Sequence, residues 1–210
     1  MKNFVEIGKK IIAVGRNYAS HNVEMKYSVP KTPIVFMKPT SAYLTEGEPI
    51  RHPPGCEDLH HEVELGVVIG RTASHVKQGD AMKYVAGYAL ALDMTARDLQ
   101  AVAKKEGNPW LISKGFDGAC PVSRFVPKAQ VPDPHDVDIW CSVNGEIRQQ
   151  GNTRNMIFSI PFLIEFVTQY IRLDGRPVLD RNSRRRRLAA LCRLGGLWTV
   201  FSYAVVFVVV

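Results

Sequence analysis

Apolar positions along this chain gather into short β-branched runs and only rarely fall at the spacing of a helix. Residues 10–15 (KIIAVG) read as a buried strand ended by glycine. Residues 33–39 (PIVFMKP) read as a second, with prolines at both ends, where a ladder can lose a donor. Residues 62–69 (EVELGVVI) form a third, and residues 84–93 (YVAGYALALD) a fourth that finishes on an acid. Residues 137–143, the pair Asn144-Gly145 and residues 146–149 predict a hairpin with a type I′ turn. Residues 17–25 read as a short helix or loop. Residues 95–105 read as a helix, with Thr95 as N-cap and Asp98 as the far member of an imperfect capping box. Residues 159–170 read as another, with Ser159 as N-cap and Pro161 in the first turn. Strands dominate, and helices do not alternate with them. The pattern predicts an α+β fold, mostly β, with a mixed or largely antiparallel sheet.

Composition changes this picture little until the charge is located. The 210 residues are 46% apolar, enough for one domain with a real core. The net charge is +7, but residues 172–210 alone hold eight arginines against two aspartates, with no lysine or glutamate. The remaining body is nearly neutral, so no nucleic-acid partner is expected. The run Arg184-Arg185-Arg186-Arg187 lacks the aromatic or groove-reading neighbours such a role needs. Cys56, Cys120, Cys141 and Cys192 form no C-x-x-C pair, which argues against a disulfide framework or a zinc site and fits a reducing compartment. Residues 1–10 carry three lysines and one glutamate, which leaves organelle import open.

The candidate chemistry starts at Glu62 and Glu64. In a strand, i and i+2 share a face, so both carboxylates project together while Val63 and Val67 fill the other side. Two like charges that close repel by roughly 4 kcal/mol at an effective dielectric of ~20. A hard cation between them, Mg²⁺, Mn²⁺ or Ca²⁺, would relieve this. Asp93, at the end of its apolar run, is either the third ligand or the start of a turn before Thr95. His21 and Glu24, three apart, are either a carboxylate-oriented general base or an exposed surface pair. Lys114, beside Gly115 and Phe116, either stabilises a developing enolate or is solvated. Arg97 and Gln100 either reach the same pocket or belong to the surface of their helix.

These pieces, in this order, resemble the fumarylacetoacetate hydrolase superfamily. The likeness rests on residues 14–21 (VGRNYASH), 36–39 (FMKP), 61–68 (HEVELGVV), 87–98 (GYALALDMTARD), 114–117 (KGFD), 143–146 (VNGE) and 156–161 (MIFSIP). It implies a mixed β-roll with short helices over residues 8–171. It makes Glu62, Glu64 and Asp93 ligands of Mg²⁺, with Mn²⁺ as the alternative. His21 and Glu24 then match an acid–base dyad on a lid, and Lys114 the lysine facing an enolate. Arg16 and Gln100 match substrate-binding positions. The resemblance further implies a homodimer and a mitochondrial location, with the cytosol second. Its substrates are small 2-oxo acids: oxaloacetate, by decarboxylation or keto–enol exchange, and acylpyruvates, by hydrolytic C–C cleavage.

After the 159–170 helix the family pattern continues with a Gly-Asp turn, a strand and a Thr-Gly-Thr-Pro loop, and none of these stands here. On that ground the C-terminal part of the roll is expected to be missing or replaced. Residues 172–210 form a divergent tail with three readings. One is a variant end that does not pack, leaving an inactive chain with its metal triad. Another is a membrane anchor over residues 194–210. The third is a native strand formed by the valine-rich end.

Overall fold

The computed structural model describes residues 4–18, 28–175, 190–192 and 205–209. In chain order its helices and strands are α1 (Phe4–Ile7), β1 (Lys10–Gly15), β2 (Ile34–Lys38), β3 (Tyr43–Leu44), β4 (Leu59–His60), β5 (Val63–Ile69), β6 (Val85–Leu92), β7 (Thr95–Ala96), α2 (Arg97–Glu106), α3 (Leu111–Lys114), β8 (Cys120–Pro121), β9 (Val126–Pro127), β10 (Asp138–Val143), β11 (Glu146–Asn152), α4 (Ile160–Thr168), β12 (Ala190–Cys192) and β13 (Val205–Val209). Strands outnumber helices and the helices are short, as the apolar pattern predicts.

Continuous apolar runs need cover on both faces, and the longest of them meet in one six-stranded sheet ordered β2-β1-β13-β5-β6-β9. Alternate side chains of this sheet enter two cores. Ile12, Val14, Leu65, Val67 and Ile69 pack with Ile160, Leu163, Ile164 and Val167 of α4. Ile11, Ala13, Val68, Ala89 and Ala91 pack with Ile139, Cys141 and Val143 of β10. Each such aliphatic side chain, fully buried, contributes roughly 1.5–3 kcal/mol. β10 belongs to a second sheet, ordered β11-β10-β12. The β10–β11 hairpin turns at Asn144 (φ 54°) and Gly145 (φ 87°), the two positive φ values of a type I′ turn. α4 begins as expected, with the Ser159 hydroxyl accepting from the Phe162 N–H at 3.4 Å and proline in the first turn.

One expectation is corrected. The helix placed over residues 95–105 starts at Arg97, with Ala96 as a cap that makes no side-chain bond. Thr95 and Ala96 instead pair antiparallel with His60 and Leu59. Asp98 forms no capping box with Thr95. Its carboxylate accepts the backbone N–H groups of Glu57 (2.7 Å), Asp58 (3.3 Å) and Leu99 (2.8 Å). The strand pairing wins because it satisfies backbone groups that a cap at Thr95 would leave open.

The tail contributes two strands. Val205–Val209 lies in the middle of the main sheet, antiparallel to β1 (Val14 opposite Val205) and parallel to β5 (Val205 opposite Leu65). Ala190–Cys192 runs parallel to β10. Among the described residues no helix is long and apolar enough to cross a membrane. Arg184–Arg187 and most of residues 194–210 lie outside the described residues. Asp174 fastens the start of the tail, accepting from Lys10 Nζ at 2.8 Å and Arg172 Nε at 2.7 Å.

Proline at Phe207, opposite Ile12 of β1 and Val67 of β5, removes a donor in the sheet centre and should cost about 3 kcal/mol or more. Urea unfolding checks this, and an unchanged midpoint would mean that β1 and β5 do not depend on this strand. Asp98→Ala should cost roughly 1–3 kcal/mol at neutral pH. Burial raises the Asp98 pKa, but the N–H groups of Glu57, Leu99 and Asp58 outweigh it and hold the carboxyl below its usual range. A depressed acid stabilises the fold above its unfolded pKa of ~3.9 and loses that contribution as pH falls through the folded value. The gap between wild type and Asp98→Ala should therefore close on acidification.

Candidate active site

The β5–β6 ladder runs one step beyond its named strands. Asp93 N–H donates to the Glu62 carbonyl at 2.8 Å, next to the Val63–Leu92 pair. Glu62 and Asp93 thus stand opposite one another, and Glu64 turns to the same side two residues along β5. All three carboxylates are buried, with Glu62 at 2% exposure and the others at 0%.

Three cations are packed against them. Lys114, the last residue of α3, donates from Nζ to Glu62 Oε2 and to Asp93 Oδ2, each at 2.7 Å. Arg97, the first residue of α2, reaches Glu62 Oε1 at 2.6 Å, Gln100 Oε1 at 2.7 Å and His60 Nδ1 at 3.3 Å. Lys38, the last residue of β2, is fully buried. Its Nζ lies 2.7 Å from Asp93 Oδ1 and donates to the Met94 carbonyl at 3.1 Å and to the Lys114 carbonyl. Lys38 thereby ties β2, the turn after β6 and α3 together. Burial alone would push the Glu62 carboxyl up, but Lys114 and Arg97 hold it well below the usual carboxylate range. Burial likewise works against the Lys114 ammonium, and Asp93 and Glu62 more than restore it, raising its pKa.

Local sequence explains how the two lysines meet. A Cβ on residue 115 would lie 2.8 Å from the Leu111 carbonyl oxygen and 3.0 Å from Pro39 Cδ, so glycine lets the end of α3 settle beside Lys38-Pro39. The Phe36 ring, on the same strand, faces Lys114 Nζ at 5.1 Å from its centroid. His61, between β4 and β5, is fully buried, and neither ring nitrogen has a hydrogen-bond partner among the described residues. Burial, then the nearby His60, lowers its pKa to about 4, so it is neutral near pH 7. The buried Cys120 thiol is pushed up to about 12, chiefly by burial, and stays protonated.

The structure brings Glu62, Glu64, Asp93, Lys114, Arg97 and Gln100 into one buried cluster. Lys114 is buried there and Arg97 partly so, both in contact with Glu62. Gln100 is 3% exposed and joins through Arg97. Arg16 sits in the turn after β1 with φ 59°, its guanidinium donating to the Ser28 carbonyl at 2.5 Å. It stands at the foot of residues 19–27, which carry His21 and Glu24. Those two lie outside the described residues. Lys38 was given no role by the sequence. The signal was there: a lysine inside an apolar run must be paired if that run is buried.

Among the described residues no group of three or more His, Cys, Asp and Glu side chains is arranged to hold a metal ion. The chemistry of the donor set nevertheless fits a hard divalent cation. Three buried carboxylates offer oxygen ligands, and Glu62 and Asp93 already share one cation, the Lys114 ammonium.

Comparison with known proteins agrees with this geometry. The family model "Fumarylacetoacetate (FAA) hydrolase C-terminal" matches residues 10–178. The mitochondrial oxaloacetate tautomerase FAHD1 of Rattus norvegicus is 53% identical over 174 residues, covering 83% of this chain and 79% of that protein. The mitochondrial oxaloacetate decarboxylase of Dictyostelium discoideum is 50% identical over 176 residues, covering 83% and 81%. The crystal structure of fumarylpyruvate hydrolase from Pseudomonas aeruginosa in complex with Mn²⁺ and pyruvate superposes with a TM-score of 0.74 at 32% identity, over 80% of this chain and 74% of that one. With a mostly β fold and a buried carboxylate cluster at the end of β5 and β6, this chain belongs to the fumarylacetoacetate hydrolase family.

Proposed function

We propose that this chain is an enzyme of 2-oxo acids that works through an enolate, with oxaloacetate keto–enol exchange as its main reaction and decarboxylation as a second outcome. The observation that carries this reading is the pairing of Lys114 and Arg97 with buried carboxylates at the end of two central strands. Relatives about half identical over most of the chain are named oxaloacetate tautomerase and oxaloacetate decarboxylase, which supports the same substrate. They are also named mitochondrial, which supports that location over the cytosol.

Glu62, Glu64 and Asp93 would hold Mg²⁺ or Mn²⁺. When bound, the ion supplies Lewis-acid polarisation of the 2-oxo carbonyl. The protein's own groups do the rest. Arg97 and Gln100, already joined at 2.7 Å, present donors to a substrate carboxylate, and Arg16 would supply another. Lys114 faces the oxygen on which enolate charge develops. As a charged ammonium it would donate hydrogen bonds to that oxygen. His21, oriented by Glu24, removes the proton from the carbon between the two carbonyl groups and returns it to carbon or oxygen. Loss of carbon dioxide from the same substrate leaves the same type of enolate for Lys114 to stabilise. Hydrolysis of an acylpyruvate asks more of His21, which must activate a water against the distal carbonyl.

The reading is tested by following oxaloacetate enol absorbance with purified chain and Mg²⁺. Wild type should accelerate the exchange, and Glu62→Gln and Lys114→Met should each lower kcat by about 10²–10³-fold. Equal rates in wild type and Glu62→Gln would overturn it. Acylpyruvate cleavage should fall further than decarboxylation in His21→Ala. Lys38→Met should destabilise the fold by about 1–3 kcal/mol, because Asp93 keeps only Lys114 and the buried Met94 and Lys114 carbonyls lose their donor. Denaturant unfolding measures that loss.

A further inference from the structure

We propose that His60 is a positioning residue: held by Asp58, its ring fixes the plane of the Arg97 guanidinium, so that two of the arginine's N–H groups are presented together to a carboxylate of the substrate. The inference rests on the substrate reading above and adds Asp58 and His60 to the residues that serve it.

The geometry of one arginine carries it. Among the described residues, each nitrogen of the Arg97 head has its own acceptor. Nε donates to His60 Nδ1 at 3.3 Å, Nη1 to Gln100 Oε1 at 2.7 Å and Nη2 to Glu62 Oε1 at 2.6 Å. A guanidinium bound through Glu62 alone could turn about that contact. Three acceptors around a planar group leave it one orientation. The head carries five N–H groups, so beside these three bonds one remains on each terminal nitrogen. Two such donors side by side match the two oxygens of a carboxylate. The Arg97 side chain is 23% exposed, which leaves them within reach of a small anion.

The bond from Arg97 also assigns the His60 proton. Guanidinium nitrogens only donate, so Nδ1 must offer a lone pair, and the ring is neutral with its proton on Nε2. That N–H donates to Asp58 Oδ1 at 2.9 Å. In the other tautomer two N–H groups would face each other between His60 and Arg97. Asp58 thus keeps the ring in the state that can accept. Backbone contacts hold the same corner independently of these side chains. His60 pairs with Thr95 across β4 and β7, and the Arg97 backbone N–H donates to the Asp58 carbonyl at 2.7 Å. The His60 ring can therefore be replaced while the start of α2 keeps its place.

The test follows oxaloacetate keto–enol exchange with Mg²⁺ at about pH 8, where an ordinary imidazole is neutral. His60→Leu removes the acceptor, and His60→Asn offers an amide oxygen in place of Nδ1. A clamp on a carboxylate that does not react acts on substrate and transition state alike. KM should therefore rise about tenfold in His60→Leu, while kcat falls by less than about threefold. His60→Asn should return KM to within about threefold of wild type. In an Arg97→Met background, where KM is already high, His60→Leu should change KM by less than about twofold, because it acts through Arg97. Full additivity of the two substitutions, or a wild-type KM in His60→Leu, overturns the positioning role and leaves the substrate reading standing. A wild-type KM in Arg97→Met overturns the substrate role of Arg97, and the positioning role with it. Should Arg97→Met fail to fold, the two His60 variants decide. A readout that needs no turnover is the Arg97 Nε–H signal in ¹⁵N NMR. It should be protected from exchange with water in wild type and His60→Asn, and should lose about tenfold or more of that protection in His60→Leu. Equal protection in all three overturns the proposal. A wild-type chain without turnover overturns the reading above, and the Nε–H measurement then decides the His60 contact alone.

Discussion

Carboxylates shut away from water are tolerable only with cations beside them, and the architecture here is organised around that constraint. Glu62, Glu64 and Asp93 come from two adjacent strands, while Lys38, Arg97 and Lys114 come from three other elements. Each ion pair therefore joins parts of the chain that are distant in sequence. Lys38 is the clearest case, since one ammonium holds Asp93, the carbonyl of Met94 and the end of α3. Glu62 and Asp93 each touch two cations, so the charges form one network and no isolated pair. The cluster thus specifies how β2, β5, β6, α2 and α3 come together, as much as it prepares a site for chemistry.

The same constraint separates what the sequence could disclose from what it could not. Strands β1, β2, β5 and β6 were legible because apolar runs bounded by glycine, proline or acid have few other uses. The hairpin was legible because Asn144-Gly145 suits two positive φ values. The start of α2 was misplaced by two residues, since Thr95 has the chemistry of a cap but is needed in a strand pair with His60. Glu62, Glu64 and Asp93 could be grouped from period-two spacing and position at a strand end. Lys38 could not be given a role from spacing. Its partners are backbone carbonyls and a carboxylate supplied by elements whose arrangement only folding reveals.

Arg97 illustrates how local pattern and tertiary context diverge. On the helix alone it reads as surface. In the folded chain β4 and β7 pair beside it, and Asp98 holds the N–H groups of Glu57 and Asp58. That contact sets the first turn of α2 against the entrance to β5, and so turns Arg97 toward Glu62. A carboxylate that looks like a helix cap acts here as a spacer that aims its neighbour.

The position of Val205–Val209 between β1 and β5 has a consequence for biogenesis. During synthesis β1 emerges first and β5 soon after, and each exposes a bare edge of backbone donors and acceptors until residues 205–209 leave the ribosome. The strand that seals them lies far along the chain from both, so the main sheet stays open until that later stretch is made. Until then the nascent chain carries open strand edges that could pair with other chains.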